Sequence, residues 1–297
     1  MNISSNRRTR DKIITCLTYA AMFVVLLLPF ALFIGLAFKS ELLFRDHSLG
    51  QLLFSSSWRP SAGEFGFKPF IVGSLYVTLL AMIISAPICL LSAIHITQYA
   101  PARVSKVVTT AIDILAGIPS VVYGVWGMMF VVPIVSRYAA PLFGVQTTGF
   151  SILSGGVVLS IMVVPFILNI LIEIYRTIPK ELTEAALSLG ATRWEAVRSI
   201  LNRKALPGIL AAVGFGFARA FGETMAVLMV VGNAIRIPES LFDQGYPLPA
   251  LIANSYSELA SVPEVESALM FAALILFVVV LLFNATLRWF IIKTEKY

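Results

Sequence analysis

The sequence has little charge and almost no cysteine or histidine. Charged residues make up 13% of its 297 residues, against about 25% in a typical soluble domain. A soluble chain of this length could not cover its surface with so few charges, which excludes an ordinary cytosolic enzyme and a disordered chain. The only cysteines, Cys16 and Cys89, lie in apolar stretches and are spaced neither for a metal nor for a redox pair.

Motifs that carry chemistry are also missing. The dipeptide Gly-Lys does not occur, so the chain has no phosphate-binding loop of its own for ATP. CxxC, HExxH and GxSxG are absent, and His47 and His95 are isolated. We therefore expect no catalysis, no metal and no cofactor, and any uphill transport must draw on a partner or an ion gradient. We interpret the net charge of +6 as a signal of membrane topology and not as a sign of nucleic-acid binding.

Apolar residues dominate: they make up 58% of the chain, and the mean hydropathy is +0.89. A membrane-spanning helix needs about 20 predominantly apolar residues. The sequence predicts an all-α membrane protein with six such helices, at about residues 13–38, 69–96, 107–135, 152–175, 207–235 and 267–292.

Lysine and arginine predict the orientation. If the N-terminus is cytoplasmic, most of these residues fall in the inside segments. They include the N-terminal Arg7, Arg8, Arg10 and Lys12, the basic residues of segment 176–206, and the C-terminal Arg288, Lys293 and Lys296. Because positive charge accumulates in cytoplasmic loops, both termini are predicted to lie inside.

Segment 176–206 is the only long inside loop. Pro179 suits the first turn of a short helix, and Gly190 suits the left-handed residue that follows a helix end. Thr192 and Glu195 spell a capping box that opens a second helix. The pattern predicts a helix–turn–helix hairpin, and local physics leaves two readings open: an amphipathic hairpin at the lipid surface or a docking element for a soluble partner.

The amino-acid sequence of this loop resembles that of the EAA loop of ABC-importer permeases. The resemblance lies in Glu184-Ala185-Ala186, in Gly190 separated by nine residues from Ile200, and in the position between the fourth and fifth spans. It implies that the loop contains a coupling helix that contacts an ATPase. The residues expected at that contact are Glu184, Ala185, Ala186, Gly190, Thr192 and Arg193. Asn202 and Arg203 stand where the family pattern has Leu-Pro, so the resemblance is incomplete at the end of the hairpin.

The fifth predicted span contains two charged residues. Arg219 and Glu223 are four residues apart, so a continuous helix would place them on one face, where they could pair. A charge in mid-membrane costs about 2.5–3.5 kcal/mol and often marks a functional site. The pair either fixes packing or lines a substrate path, where the fork of an arginine suits a tetrahedral oxyanion. We further hypothesise that Glu223 keeps Arg219 from holding the anion too tightly. Small residues at 214, 218 and 222 predict a close helix contact beside this face.

The third predicted span contains Gly117 and Pro119, which predict a kinked helix whose freed backbone groups face either a neighbour or the path. Asp113 could pair with an intramembrane arginine or cap a broken helix. We interpret Asn233 as a residue that forms a hydrogen bond at a helix end rather than as a substrate ligand.

Three motifs together resemble phosphate-specific ABC transporter permease subunits of the PstC type. They are the segment from Arg219 to Val227 followed by Gly232-Asn233, the segment from Ala116 to Gly127, and Trp58-x-Pro60 followed by Phe65-Gly66. The resemblance implies a type I ABC-importer permease fold, with an N-terminal part (1–68) and a five-helix core (69–297) that carries the coupling loop. It also implies a path lined by Asp113, Ser120, Tyr123, Arg219, Glu223, Thr224 and Asn233.

The same resemblance implies the partners. These are a PstA-type second permease, an ABC ATPase dimer, a periplasmic or lipid-anchored phosphate-binding protein and inorganic phosphate, all at the bacterial cytoplasmic membrane. Three alternatives stay open. They are a permease for another oxyanion such as sulfate, molybdate or tungstate, an ion-coupled carrier with Asp113, Arg219 and Glu223 as a proton relay, and a membrane sensor that transports nothing.

Overall fold

Helices make up most of the computed structural model, which describes the backbone of residues 3–259 and 262–294 and the side chains of 11–256 and 262–293. Lys296, and the side chains of Arg7, Arg8 and Arg10, lie outside the described residues. The helices are α1 (Ile3–Lys39), α2 (Glu41–Asp46), α3 (Leu49–Phe54), α4 (Lys68–Ile94), α5 (Ala102–Ala116), α6 (Ser120–Trp126), α7 (Val132–Ile134), α8 (Ala140–Leu142), α9 (Ile152–Thr177), α10 (Lys180–Ser188), α11 (Arg193–Ala196), α12 (Asn202–Phe221), α13 (Met225–Leu228), α14 (Leu248–Leu259) and α15 (Pro263–Thr294).

Six helical stretches of the described chain are long and apolar enough to cross a membrane, as predicted. They are Asp11–Lys39, Lys68–Tyr99, Ser120–Leu142, Ile152–Thr177, Arg193–Phe221 and Pro263–Lys293. Four of them agree with the predicted spans to within a few residues. Single π-helical turns at His95–Tyr99, Gly127–Val131, Val135–Ala139 and Val197–Leu201 join neighbouring helical pieces within these stretches.

The third predicted span is wrong in its first half. The helix α5 ends at Ala116, and α6 begins at Ser120 as a separate helix. Pro119 stands at the break with extended backbone (φ −59, ψ 142), because proline lacks the backbone donor and disfavours helical geometry in the residue before it. Tyr123 bridges the break, since its hydroxyl donates to the carbonyl of Leu115 at 2.9 Å.

The fifth predicted span is wrong at both ends. Pro207 lies inside α12 and does not begin a helix, because the helical stretch already starts at Arg193. At the other end α12 stops at Phe221, and Gly222 is the capping residue, whose amide donates to the carbonyls of Ala218 and Ala220. The predicted small-residue contact is therefore partial: a Cβ at Gly214 would meet Leu287 of α15, whereas Gly222 faces no other element.

The bundle packs around α4 and α9, which form the largest helix contact, and α12 closes their core. The first helix stands apart from this core: every described side chain from Asp11 to Gly35 is exposed. It contacts α15 near its C-terminal end, where Phe33 meets Phe277 at a ring-centroid distance of 6.2 Å. The ammonium of Lys39 pairs with Glu266 at 2.9 Å.

The segment between α1 and α4 forms a small aromatic module at one end of the bundle. A two-stranded hairpin, β1 (Trp58–Arg59) and β2 (Glu64–Phe65), pairs Trp58 with Phe65. The indole of Trp58 makes edge contacts with Phe65, Phe67 and Phe70 at 5.2–5.5 Å. Phe67 in turn touches Phe271 of α15, so this module packs on the last helix.

Close packing around Gly127 gives the first prediction. A Cβ at Gly127 would overlap the Cγ2 of Val158 and approach Val230 Cγ1 to 3.1 Å, and both valines are fully buried. Gly127→Ala should therefore destabilise the protein by about 1–3 kcal/mol through overpacking, measured as a lower thermal unfolding midpoint in detergent. The matched variant Gly35→Ala meets nothing within 4 Å and should unfold at the wild-type temperature or slightly above it. Equal midpoints for the two variants would contradict this packing.

Candidate functional site

Two broken helices meet at the centre of the candidate site. After Gly222 the chain continues through Glu223 and Thr224 into the one-turn helix α13, which packs against α6. The approach is close: a Cβ at Gly124 would lie 2.7 Å from Met229 Sδ and 3.1 Å from Ala226 Cα. The two segments that the sequence analysis placed on a substrate path are therefore neighbours.

Arg219 lies near the C-terminal end of α12, and its side chain is exposed in the isolated chain. Its guanidinium carbon stands 5.5 Å from the ring centroid of Phe166 on α9, a cation–π contact. The predicted pair with Glu223 is not among the ion pairs of the described side chains. The physical reason is the end of α12 at Phe221, which removes the helical register that the four-residue spacing assumed.

Glu223 and Thr224 instead stabilise the break that follows α12. The Glu223 carboxylate accepts from the amide of Ala226 at 3.3 Å, which caps α13, and the Thr224 hydroxyl donates to the carbonyl of Gly222 at 3.3 Å. Both side chains are half-buried. The hypothesis that Glu223 keeps Arg219 from holding an anion too tightly stays a prediction.

Asn233 ends the same broken segment. Its backbone has a φ of 53°, the left-handed region, next to Gly232 at 92°. Its side-chain amide donates to the carbonyl of Leu228 at 2.9 Å, which agrees with the reading of Asn233 as a helix-end residue. Its amide oxygen is buried without a partner among the described residues.

Two other predicted path residues lie on α6. Ser120 is the first residue of this helix and is half-buried. Tyr123 is buried, at 8% exposure, and its hydroxyl donates the hydrogen bond to the Leu115 carbonyl of α5 that is described above. The phenol is thus a structural donor across the helix break.

Asp113 adopts neither of the two predicted arrangements. It lies on α5, three residues before the helix ends, and its carboxylate accepts from the side-chain amide of Asn169 on α9 at 2.9 Å. Asn169 and Phe166 were missed by the sequence analysis. Asn169 is a lone amide in an apolar run, a signal that could have marked it.

The predicted hairpin is present at the other end of α9. Gly190 follows α10 with a φ of 87°, a conformation that favours glycine. Thr192 and Glu195 form the complete capping box at the start of α11, with the Thr192 amide donating to the carboxylate at 2.7 Å. The hairpin is firmly tied to the bundle, because Tyr175 of α9 donates to Asn202 at 2.6 Å.

The hairpin exposes only part of the surface that was predicted for docking. Glu184 and Ala185 are exposed, as are Thr192 and Arg193. Ala186 is not available to a partner, because it is 5% exposed and packs in the core with Ala196 and its neighbours. The Arg193 guanidinium donates to the carbonyl of Gln98 at 3.5 Å. Among the side chains that the structure describes, no group of three or more His, Cys, Asp or Glu could hold a metal ion.

Comparison with known proteins gives consistent matches. Residues 86–294 match the family described as binding-protein-dependent transport system inner membrane component. The chain is 35% identical over 292 residues to the phosphate transport system permease protein PstC of Pasteurella multocida, covering 94% of this chain and 90% of the relative. It is 37% identical over 240 residues to PstC of Xylella fastidiosa, covering 76% of this chain and 74% of the relative.

Solved structures share the fold at low sequence identity. A chain of a bacterial alginate ABC transporter superimposes with a TM-score of 0.63 at 16% identity, covering 98% of this chain and 99% of that one. A chain of the inward-facing MetNI methionine ABC transporter superimposes with a TM-score of 0.58 at 21% sequence identity, covering 75% of this chain and 93% of that one. The fold is that of the type I ABC-importer permeases.

Proposed function

The chain belongs to the binding-protein-dependent transport system inner membrane components, and from this membership we propose that it is the PstC-type permease subunit of an ATP-driven phosphate importer. The observation that most directly supports this proposal is the 35% sequence identity to a phosphate permease over almost the whole chain. The subunit forms a path through the membrane and breaks no covalent bond. Hydrolysis of ATP occurs in a separate ATPase.

The position of Arg219 supports a path along one face of this chain. An arginine exposed to the lipid hydrocarbon costs up to about 2.5–3.5 kcal/mol, so the face that carries Arg219 needs a polar or protein-covered environment. Arg219 is exposed, and Glu223, Thr224 and Ser120 are half-buried, so all four are available to border such a path. We place the path there, between this chain and a PstA-type second permease. Tyr123 and Asn233 support the helix breaks that border the path, and Asp113 joins α5 to α9.

The hairpin supplies the coupling contact. Glu184, Ala185, Thr192 and Arg193 are exposed on it, and Gly190 gives the turn between its helices. We propose that an ABC ATPase dimer docks here, one copy on each permease, and that alternating access follows from its closure. The short α10 packs on α11 and the π-helical turn after it, so a push on α10 reaches the helix that carries Arg219.

The proposed orientation puts the hairpin and both termini in the cytoplasm of a bacterium. Arg176, Lys180, Arg193 and Arg198 cluster at this end, as the positive-inside rule requires. The aromatic module around Trp58 then faces a periplasmic or lipid-anchored phosphate-binding protein. In this scheme residues 1–68 form the peripheral part, 69–297 form the five-helix core, and segment 176–206 contains the coupling contact.

An uptake assay tests the assignment and its main rival, a permease for another oxyanion. Cells lacking the chain should take up labelled phosphate again when it is restored, and excess unlabelled sulfate or molybdate should not compete. Uptake should stop when ATP is depleted, whereas an uncoupler alone should leave it intact, which separates it from an ion-coupled carrier. Restoration of molybdate or sulfate uptake without phosphate uptake would contradict the assignment of phosphate as substrate and would support only the permease architecture.

A further inference from the structure

A cavity of about 430 Å³ opens under the coupling hairpin. Its walls come from five places: the π-helical turn after α4 (Thr97), the end of α9 (Arg176), the helix α10 (Lys180, Thr183), the start of α11 (Arg193) and the π-helical turn after α11 (Val197). We name it the hairpin cavity. Its size lies within the range of about 300–1,000 Å³ that is usual for small-molecule sites.

The charges that line the hairpin cavity are mostly positive. Arg176, Lys180 and Arg193 contribute three cations, and Glu184 contributes the one carboxylate. A cation would be repelled by this lining, and an apolar ligand would leave it unpaired. An anion would satisfy it.

Hydrogen-bond donors are available on the same walls. Among the described residues, the side chains of Lys180 and Thr183 make no hydrogen bond and no ion pair. Arg176 uses one N–H toward Glu173 and another toward Thr109, which leaves further donors of its guanidinium. Buried Val197 and Leu201 also line the cavity, and such apolar surface strengthens charge–charge attraction beside it.

We propose that the hairpin cavity binds a phosphate-type oxyanion, supplied either as free phosphate or as the headgroup of an anionic lipid. Tetrahedral oxygens match two guanidinium forks and an ammonium, since an arginine can donate two parallel hydrogen bonds to one such group. The bound anion would tie the end of α9 to α10 and to the start of α11. This site goes beyond the proposed import of phosphate, because it lies at the coupling hairpin and not on the path beside Arg219.

Protection of Lys180 from chemical labelling tests this site without reference to transport. The assembled transporter, with its second permease and ATPase, is placed in nanodiscs and treated with an amine-acetylating reagent, and the acetylation rate of Lys180 is followed by mass spectrometry. One arm uses phosphatidylcholine alone, with phosphate or with chloride at equal ionic strength. The other arm adds phosphatidylglycerol without phosphate. Lys204, which does not line the cavity, is the internal control.

Saturating anion should slow acetylation of Lys180 by roughly tenfold at ten times the dissociation constant, with Lys204 unchanged. Protection by phosphate in phosphatidylcholine identifies the free ion, and protection only with phosphatidylglycerol identifies the headgroup. Arg176→Gln should lose most of the protection, whereas the control Arg103→Gln, outside the cavity, should keep it.

Equal labelling of Lys180 in all samples would overturn the proposal. So would a Lys180 that is unreactive in every sample, because the ATPase would then occupy the cavity. Neither result depends on uptake, so failure of this site and failure of the importer assignment can be told apart.

Discussion

Replacing Arg219 with glutamine is expected to lower phosphate uptake by about a hundredfold or more. Glutamine keeps a polar end group on a shorter side chain but loses the charge and the fork of donors. Each hydrogen bond to a charged group is worth about 1.5–3 kcal/mol, and each 1.4 kcal/mol is about tenfold. Loss of two such bonds to the passing anion gives the expected effect. The measurement is the initial rate of labelled phosphate uptake in cells lacking the chromosomal copy.

The control for this prediction is Arg288→Gln, which removes an exposed arginine from α15 and should leave uptake within about twofold of wild type. Arg219→Lys keeps the charge without the fork and should give an intermediate rate. Both the amount of the complex in the membrane and its ATPase content should be unchanged by Arg219→Gln. Wild-type uptake by a fully assembled Arg219→Gln transporter would place the path elsewhere.

The six spans could be predicted because a long apolar helix is a property of local composition. The breaks inside them could not. Hydropathy continues across Gly117–Pro119 and across Gly222, so a kinked helix and two separate helices look alike. The structure separates them through backbone groups: Tyr123 reaches the Leu115 carbonyl, and Gly222 caps α12.

The hairpin of segment 176–206 was predicted more accurately than the contacts of the candidate path residues, for the same physical reason. Its turn depends on Gly190 and on a capping box over four residues, both of which are local in sequence. The contacts of Asp113 with Asn169 and of Arg219 with Phe166 join residues more than 50 positions apart. A single sequence contains no local pattern for such contacts, and the assumed helical register after Phe221 even predicted the wrong partner for Arg219.

Reversing the charge of Glu184 is expected to separate the permease from its ATPase. Glu184 is exposed on α10, so it is free to meet a cationic group on a docked partner. Breaking one side of an interface charge pair costs about 2–5 kcal/mol, and Glu184→Lys adds repulsion. The ATPase that copurifies with the permease should fall at least about tenfold, and phosphate uptake should fall with it.

Glu184→Gln should give a smaller loss, because it removes the attraction without adding repulsion. The control Glu239→Lys reverses an exposed glutamate in the segment between α13 and α14, far along the chain from the hairpin, and should leave copurification unchanged. The two largest effects then differ in kind. Arg219→Gln removes uptake from a complex that retains its ATPase, whereas Glu184→Lys removes the ATPase itself. If Glu184→Lys retained both the ATPase and uptake, α10 would not be the coupling contact, and the lipid-surface reading of the hairpin would replace it.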